Sequence, residues 1–225
     1  MRAGLGFGGA VLSLPVLLMI DNQPLFWLPI LSLHLIFFTS ISLKSRIHNI
    51  DWSVLKNTIG YIIPLKIAGV FGLVTLPNQW LVIIIYGITS LYAIMWILNL
   101  RFKTERPWAD KLMLAGGGYL SGTSLSGAPL IAAVYVKLIA RSALRDTMWV
   151  LWLFLVSFKA ITLYWFGIDL QVASTLALIP AVAIGHFIGI RLHERLVEND
   201  RMFKRALGTA MIVISVIGIS RMIFN

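Results

Sequence analysis

The chain has 225 residues, of which 59% are hydrophobic and only 12% charged. A soluble domain carries about 25% charged residues, so the composition points to an integral membrane protein with no room for a separate soluble domain. There is no cysteine, which excludes disulfides, thiolate metal sites and cysteine relays. The net charge of +10 would suggest nucleic acid in a soluble protein; here the placement of the basic residues reads as membrane topology instead.

Met1-Arg2 is followed at once by glycines, so no cleavable leader is legible. Hydropathy and charge then divide the chain. Residues 8–20 form a short, glycine-led apolar stretch, and 21–24 a polar turn. Predicted spans cover 25–43, 57–76, 79–100, 147–166 and 171–190, with a short closing span at 206–220. Predicted charged loops occupy 44–56, 101–111, 137–145 and 191–205, and neutral turns lie at 77–78 and 167–170.

The informative segment is 112–136. It is apolar at both ends but holds GGGYLSGTSLSGAP at 116–129. Irregular backbone is tolerated at membrane depth only where protein or a water-filled cavity surrounds it. Pro129 follows Ser126 and Gly127 as a proline follows a helix cap. The pattern predicts two half-helices meeting at a break, the second starting near Ala128. The competing reading is close helix packing, because Gly118/Gly122, Gly4/Gly8 and Gly185/Gly189 are all spaced as GxxxG.

Two halves repeat, 1–105 and 106–225. The stretch at 63–71 (IPLKIAGVF) matches that at 179–187 (IPAVAIGHF), and the glycines of 4–9 match those of 122–127. If 112–136 crossed the membrane, the basic residues of 44–56 and 101–111 would face those of 137–145 and 191–205 across it. If the segment enters, breaks and returns, all of them share the cytoplasmic side, as the positive-inside rule expects. Each half is then a re-entrant or broken glycine-rich hairpin followed by three transmembrane helices. The odd number of crossings inverts the second half, and the C-terminus lies outside. The frame also places Trp27, Trp80 and Trp165 near the outer face and Trp52, Trp108 and Trp149 near the inner. The fold class is thus an all-α membrane protein of two inverted-topology repeats, an architecture of secondary transporters.

With these motifs in place the chain resembles the TauE/SafE family of sulfite exporters and related anion permeases. The likeness rests on the glycine-rich segments Gly4–Pro15 and Gly122–Pro129 that open the halves, and on the I-P…G-x-x-x-G stretch, basic loop and last span of 179–221. One departure is that only Met1, Arg2 and Ala3 precede Gly4, so the entering half-helix of the first repeat is short or missing. The resemblance implies transport of small sulfur-containing or organic anions across the cytoplasmic (inner) membrane.

The chemistry of the candidate site follows from helix ends. A helix N-terminus offers free N–H groups and about half a positive charge. Two such ends, at Gly8, Gly9 and Ala10 and at Ser126, Gly127 and Ala128, would converge on an anion, with Gly122 as a further site residue and Ser121, Thr123, Ser124 and Ser126 as hydroxyl donors. Lys66, central in its span, is a candidate pathway charge; its competing role is to bond the carbonyls of a broken helix. Lys159 reads as a snorkelling lysine near the outer end of its span. His186 and His34 are candidates for proton coupling, with a buried, hydrogen-bonded side chain the plainer reading of His34. No Asp or Glu lies well inside a span, and no nucleophile motif, metal cluster or dinucleotide loop is present.

The leading expectation is a non-enzymatic transporter of small anions working by alternating access in the lipid bilayer. It calls for no cofactor, metal or nucleic acid, and it is compatible with a homo-oligomer. A proton-coupled importer of organic acids is the second reading. A membrane scaffold whose glycines only pack helices is the third.

Overall fold

The computed structural model describes residues 8–43, 47–100, 106–196 and 200–224, with the side chains of 12–43, 47–100, 106–185 and 204–222. Among the described residues there are nine α-helices and no strand. In order they are α1 (Gly8–Ile20), α2 (Pro24–Leu43), α3 (Trp52–Thr75), α4 (Asn78–Ile97), α5 (Pro107–Ser124), α6 (Ala128–Leu138), α7 (Arg141–Trp165), α8 (Val172–Leu196) and α9 (Asp200–Phe224). A single 3-10 turn, Ile47–Asn49, stands between α2 and α3.

Helices α2, α3, α4, α7 and the Lys204–Met222 part of α9 are long and apolar enough to cross a membrane. Their outward faces carry Ile67, Phe71, Leu91, Ile161 and Val216, all more than half or about half exposed, which suits contact with acyl chains. Trp52, Trp80, Trp108 and Trp165 are exposed at helix ends, where amphipathic rings meet an interface. By contrast α1 and α6, with 13 and 11 residues, reach about 20 and 16 Å at 1.5 Å per residue. Neither spans a hydrocarbon core of about 30 Å.

Several predicted loops are helical. α3 begins at Trp52 rather than near 57, because Asp51 Oδ1 accepts the Val54 N–H at 3.0 Å and caps it. α5 begins at Pro107, inside the predicted loop 101–111. α7 begins at Arg141, so only Ile139 and Ala140 separate it from α6. α8 continues to Leu196 and α9 starts at Asp200, leaving little of the predicted loop 191–205. Beyond the capped start of α3, the reason is shared. Lys, Arg and Glu are good helix formers, so a helix outruns its apolar window, and hydropathy marks only the apolar part.

The interior holds two apolar cores. One gathers Ile62, Leu114, Ile131, Met148, Leu151 and Leu155 from α3, α5, α6 and α7. The other gathers Leu14, Leu28, Val70, Leu81, Tyr86 and Leu163 from α1, α2, α3, α4 and α7. The helix pairings are α3 with α5 and α7; α4 with α9; α2 with α4, α7 and α8; α1 with α2, α4 and α9; and α6 with α5 and α7. The α3–α5 contact is backbone to backbone. A Cβ at Gly118 would collide with the Ile62 carbonyl, and one at Gly122 would lie 2.5 Å from the Lys66 carbonyl and 2.9 Å from Val70 N. The packing reading therefore describes Gly118 and Gly122, while nothing lies within 4 Å of a Cβ built at Gly185. Gly4 lies outside the described residues, as do the side-chain surroundings of Gly189.

Candidate site at the helix break

The predicted break is present. α5 ends at Ser124, α6 begins at Ala128, and Leu125, Ser126 and Gly127 join them. Leu125 takes a left-handed conformation (φ 59°), its N–H and that of Ser126 both turning back to the Leu120 carbonyl. Such a conformation is uncommon for a bulky residue and closes the end of α5 as glycine usually does. The chain then folds back along α5. A Cβ at Gly127 would clash with the Gly117 carbonyl and lie 2.9 Å from Ser121 N. Farther out, Lys137 in the last turn of α6 forms an ion pair of 2.6 Å with Asp110 in the first turn of α5. The two arms thus start and finish at the same end of the molecule: 107–138 enters and returns.

Two lysines meet this hairpin from either side. Lys66 Nζ, on α3, donates to Ser121 Oγ at 3.0 Å, and Lys159 Nζ, on α7, donates to the Thr123 carbonyl at 3.2 Å. Both side chains are fully buried (0% exposed). Their position is set by helical register. Lys66 lies one turn from Ile62 in the first core and one turn from Val70 in the second; Lys159 lies likewise between Leu155 and Leu163. The lysines and the hairpin tip therefore form a polar layer between the two apolar cores. Neither lysine forms an ion pair with an acidic group among the described residues. An ammonium has three donors, and each of these uses one.

The remaining hydroxyls are arranged around the turn. Thr123 Oγ1 is 3.3 Å from both the Tyr119 and Leu120 carbonyls, and Ser124 Oγ is 3.3 Å from the Leu120 carbonyl and also bonds Ser126 Oγ. Tyr92 OH on α4 donates to the Ser126 carbonyl at 2.9 Å and ties that helix to the break. Among the described residues no side-chain hydrogen bond caps the N-terminus of α6.

Of the predicted site residues, the structure brings together Lys66, Thr123, Ser124, Ser126 and Gly127. Gly122 is in the same turn but faces the α3 backbone. Gly8, Gly9 and Ala10 open α1, but what surrounds them lies outside the described residues, as does the side chain of His186. His34 is buried, donating from Nδ1 to the Ile30 carbonyl at 2.9 Å, and its Nε2 has no partner among the described residues. Lys159 is a correction: it does not snorkel. Counting residues from the end of its span missed that its ±4 neighbours, Leu155 and Leu163, carry the buried face. Tyr92 was missed because nothing local marks a tyrosine that serves a distant carbonyl.

The arrangement can hold an anion. Two buried lysines with no carboxylate partner among the described residues, serine hydroxyls and a helix N-terminus offer donors to one, and a buried charge is costly until it is compensated. Compared with known families, residues 1–217 match the family model described as Sulfite exporter TauE/SafE. No curated protein and no solved structure matches the chain.

Proposed function

Because the chain belongs to the TauE/SafE sulfite exporter family, a family of multi-pass membrane transporters, we propose that it carries small anions across the cytoplasmic membrane through the break between α5 and α6. The observation that carries this reading is the pair of buried lysines, Lys66 and Lys159, at the tip of the re-entrant hairpin with no acidic partner among the described residues. Sulfite, sulfonates and other small sulfur-containing or organic anions fit such a site, since they need N–H and O–H donors and positive charge rather than catalytic groups.

The repeat gives the route. Under an inverted two-fold, α1 corresponds to α6, α2 to α7, α3 to α8 and α4 to α9. The pairings α2–α7 and α4–α9 then map onto themselves, α3–α7 maps onto α2–α8, and α1–α2 onto α6–α7. The matched pairings support two inverted repeats and alternating access around the layer between the cores, while among the described residues α1–α4, α1–α9 and α2–α4 have no counterpart of like strength in α6–α9, α4–α6 and α7–α9. With the basic loops inside, the C-terminus is extracytoplasmic.

An interior-negative potential drives anions outward by about 2.3 kcal/mol per charge per 100 mV, so export needs no coupled ion. The test is flux of sulfite, sulfate or a small organic anion from liposomes holding the purified protein, with the potential set by potassium and valinomycin at equal pH. Flux that follows the potential is expected. The unpartnered Nε2 of His34 favours the second reading, proton-coupled import of organic acids. Flux that ignores potential, follows a pH gradient and fails in His34→Ala or His186→Ala would establish that reading instead. Folded protein that moves no anion would leave a scaffold.

A further inference from the structure

The last carbonyls of a helix lack intrahelical donors and carry the negative end of its dipole. In transporters with broken helices, such C-terminal half-helix ends hold the coupling sodium ion or proton. Here α5 has an end of that kind inside the protein, closed by the left-handed Leu125. The carbonyl of Thr123, in its last turn, is occupied: it accepts the Lys159 ammonium at 3.2 Å. The Thr123 and Ser124 hydroxyls turn back to the Tyr119 and Leu120 carbonyls, so at the helix end itself the open oxygen ligands are backbone carbonyls, a kind that a hard cation takes. Lys159 is fully buried and held in register by Leu155 and Leu163, one in each apolar core. Lys66 differs, since it bonds a hydroxyl, Ser121, rather than the helix end.

We propose that Lys159 is a tethered cation that fills the seat a coupling ion takes in other broken-helix transporters, making anion movement through this chain independent of sodium. The inference rests on the transport reading above. It accounts for a fully buried lysine placed on a carbonyl at a helix end, and for the lack of an ion pair to that lysine among the described residues. The same ammonium keeps donors beyond the Thr123 bond, so one group can satisfy the helix end and attract the anion.

The experiment uses the full chain in liposomes with labelled sulfate as the probe and potassium held constant to fix the potential. Wild-type flux should be unchanged when sodium is replaced by choline. Lys159→Ala should lose at least about tenfold of the flux, equivalent to about 1.4 kcal/mol, and regain it with methylammonium or sodium. Lys66→Ala should regain nothing from either cation. Lys159→Ser, which also leaves the seat open, serves if the alanine variant does not fold. Wild-type flux that falls without sodium would overturn the proposal. So would a folded Lys159 variant with full flux and no added cation, or one that no small cation restores. If the wild type moves no anion, the transport reading fails separately. The seat is then read by heat: sodium or methylammonium should raise the melting midpoint of Lys159→Ala and leave the wild type unmoved, and an equal response in both refutes it.

Discussion

Gly127 offers the sharpest test of the hairpin. Its backbone angles, φ −69° and ψ −10°, suit any residue, so a substitution there meets no conformational penalty. The penalty is one of space. A Cβ would lie 2.9 Å from Ser121 N and would clash with the Gly117 carbonyl, and both obstacles are backbone. Overpacking with side-chain neighbours costs typically 1–3 kcal/mol; backbone neighbours that cannot rotate away place Gly127→Ala at about 3 kcal/mol, and Gly127→Leu above it. Gly87 is the internal control. It lies within α4, and nothing stands within 4 Å of its added Cβ, so Gly87→Ala should gain up to about 1 kcal/mol from helix propensity. The two alanine variants should therefore shift the melting midpoint of detergent-purified protein in opposite directions. In liposomes Gly127→Leu should abolish flux while the protein still inserts. A Gly127→Ala variant as stable and active as the wild type would show that α6 does not return against Gly117 and Ser121.

The return of the hairpin can also be read by chemistry, because the chain has no cysteine of its own: Asp110→Cys with Lys137→Cys should be joined by a short bifunctional thiol cross-linker that spans the reach of the lost ion pair, whereas a segment crossing the membrane would keep the pair apart. The ion pair itself is partly exposed, so a double-mutant cycle on Asp110 and Lys137 should give only about 0.2–1 kcal/mol, and a far larger coupling would mean the mouth of the hairpin is closed to water. Lys66→Met should weaken binding of sulfate more than that of methanesulfonate, which has a similar tetrahedral shape and one charge fewer; equal losses would remove Lys66 from the charge of the site. A reporter fused after Asn225 should be active only if it functions outside the cytoplasm, and activity confined to the cytoplasm would refute the inverted repeat.

Much of this was legible in the chain. The break and the start of its second half-helix at Ala128 follow from a proline placed after Ser126 and Gly127 in an otherwise apolar segment. The return of that segment follows from basic residues that would otherwise divide between two faces. The first turn of α3, by contrast, depends on one aspartate cap, and a loop drawn from charge alone hides it. The importance of Lys159 was not legible either. Depth along a span is estimated by counting from its ends, but burial depends on which face packs, and α7 turns Leu155, Lys159 and Leu163 inward together. Gly122 shows the reverse case: its spacing was read correctly as a packing motif and, in the same segment, as a ligand contact, and only the neighbouring α3 backbone separates the two.

The layer that separates the two apolar cores has a mechanical meaning. Parting either core would bare leucine and isoleucine side chains, at a cost proportional to the area uncovered. Parting the layer between them breaks hydrogen bonds from Lys66, Lys159 and Tyr92, and water or an anion can replace each of these. Helices α3 and α7 run unbroken through both cores, so the layer is a polar belt on continuous rods, and the part held only by exchangeable bonds is the hairpin tip. Displacing that tip would cost hydrogen bonds rather than buried apolar area, and a bound anion can supply the bonds that are given up.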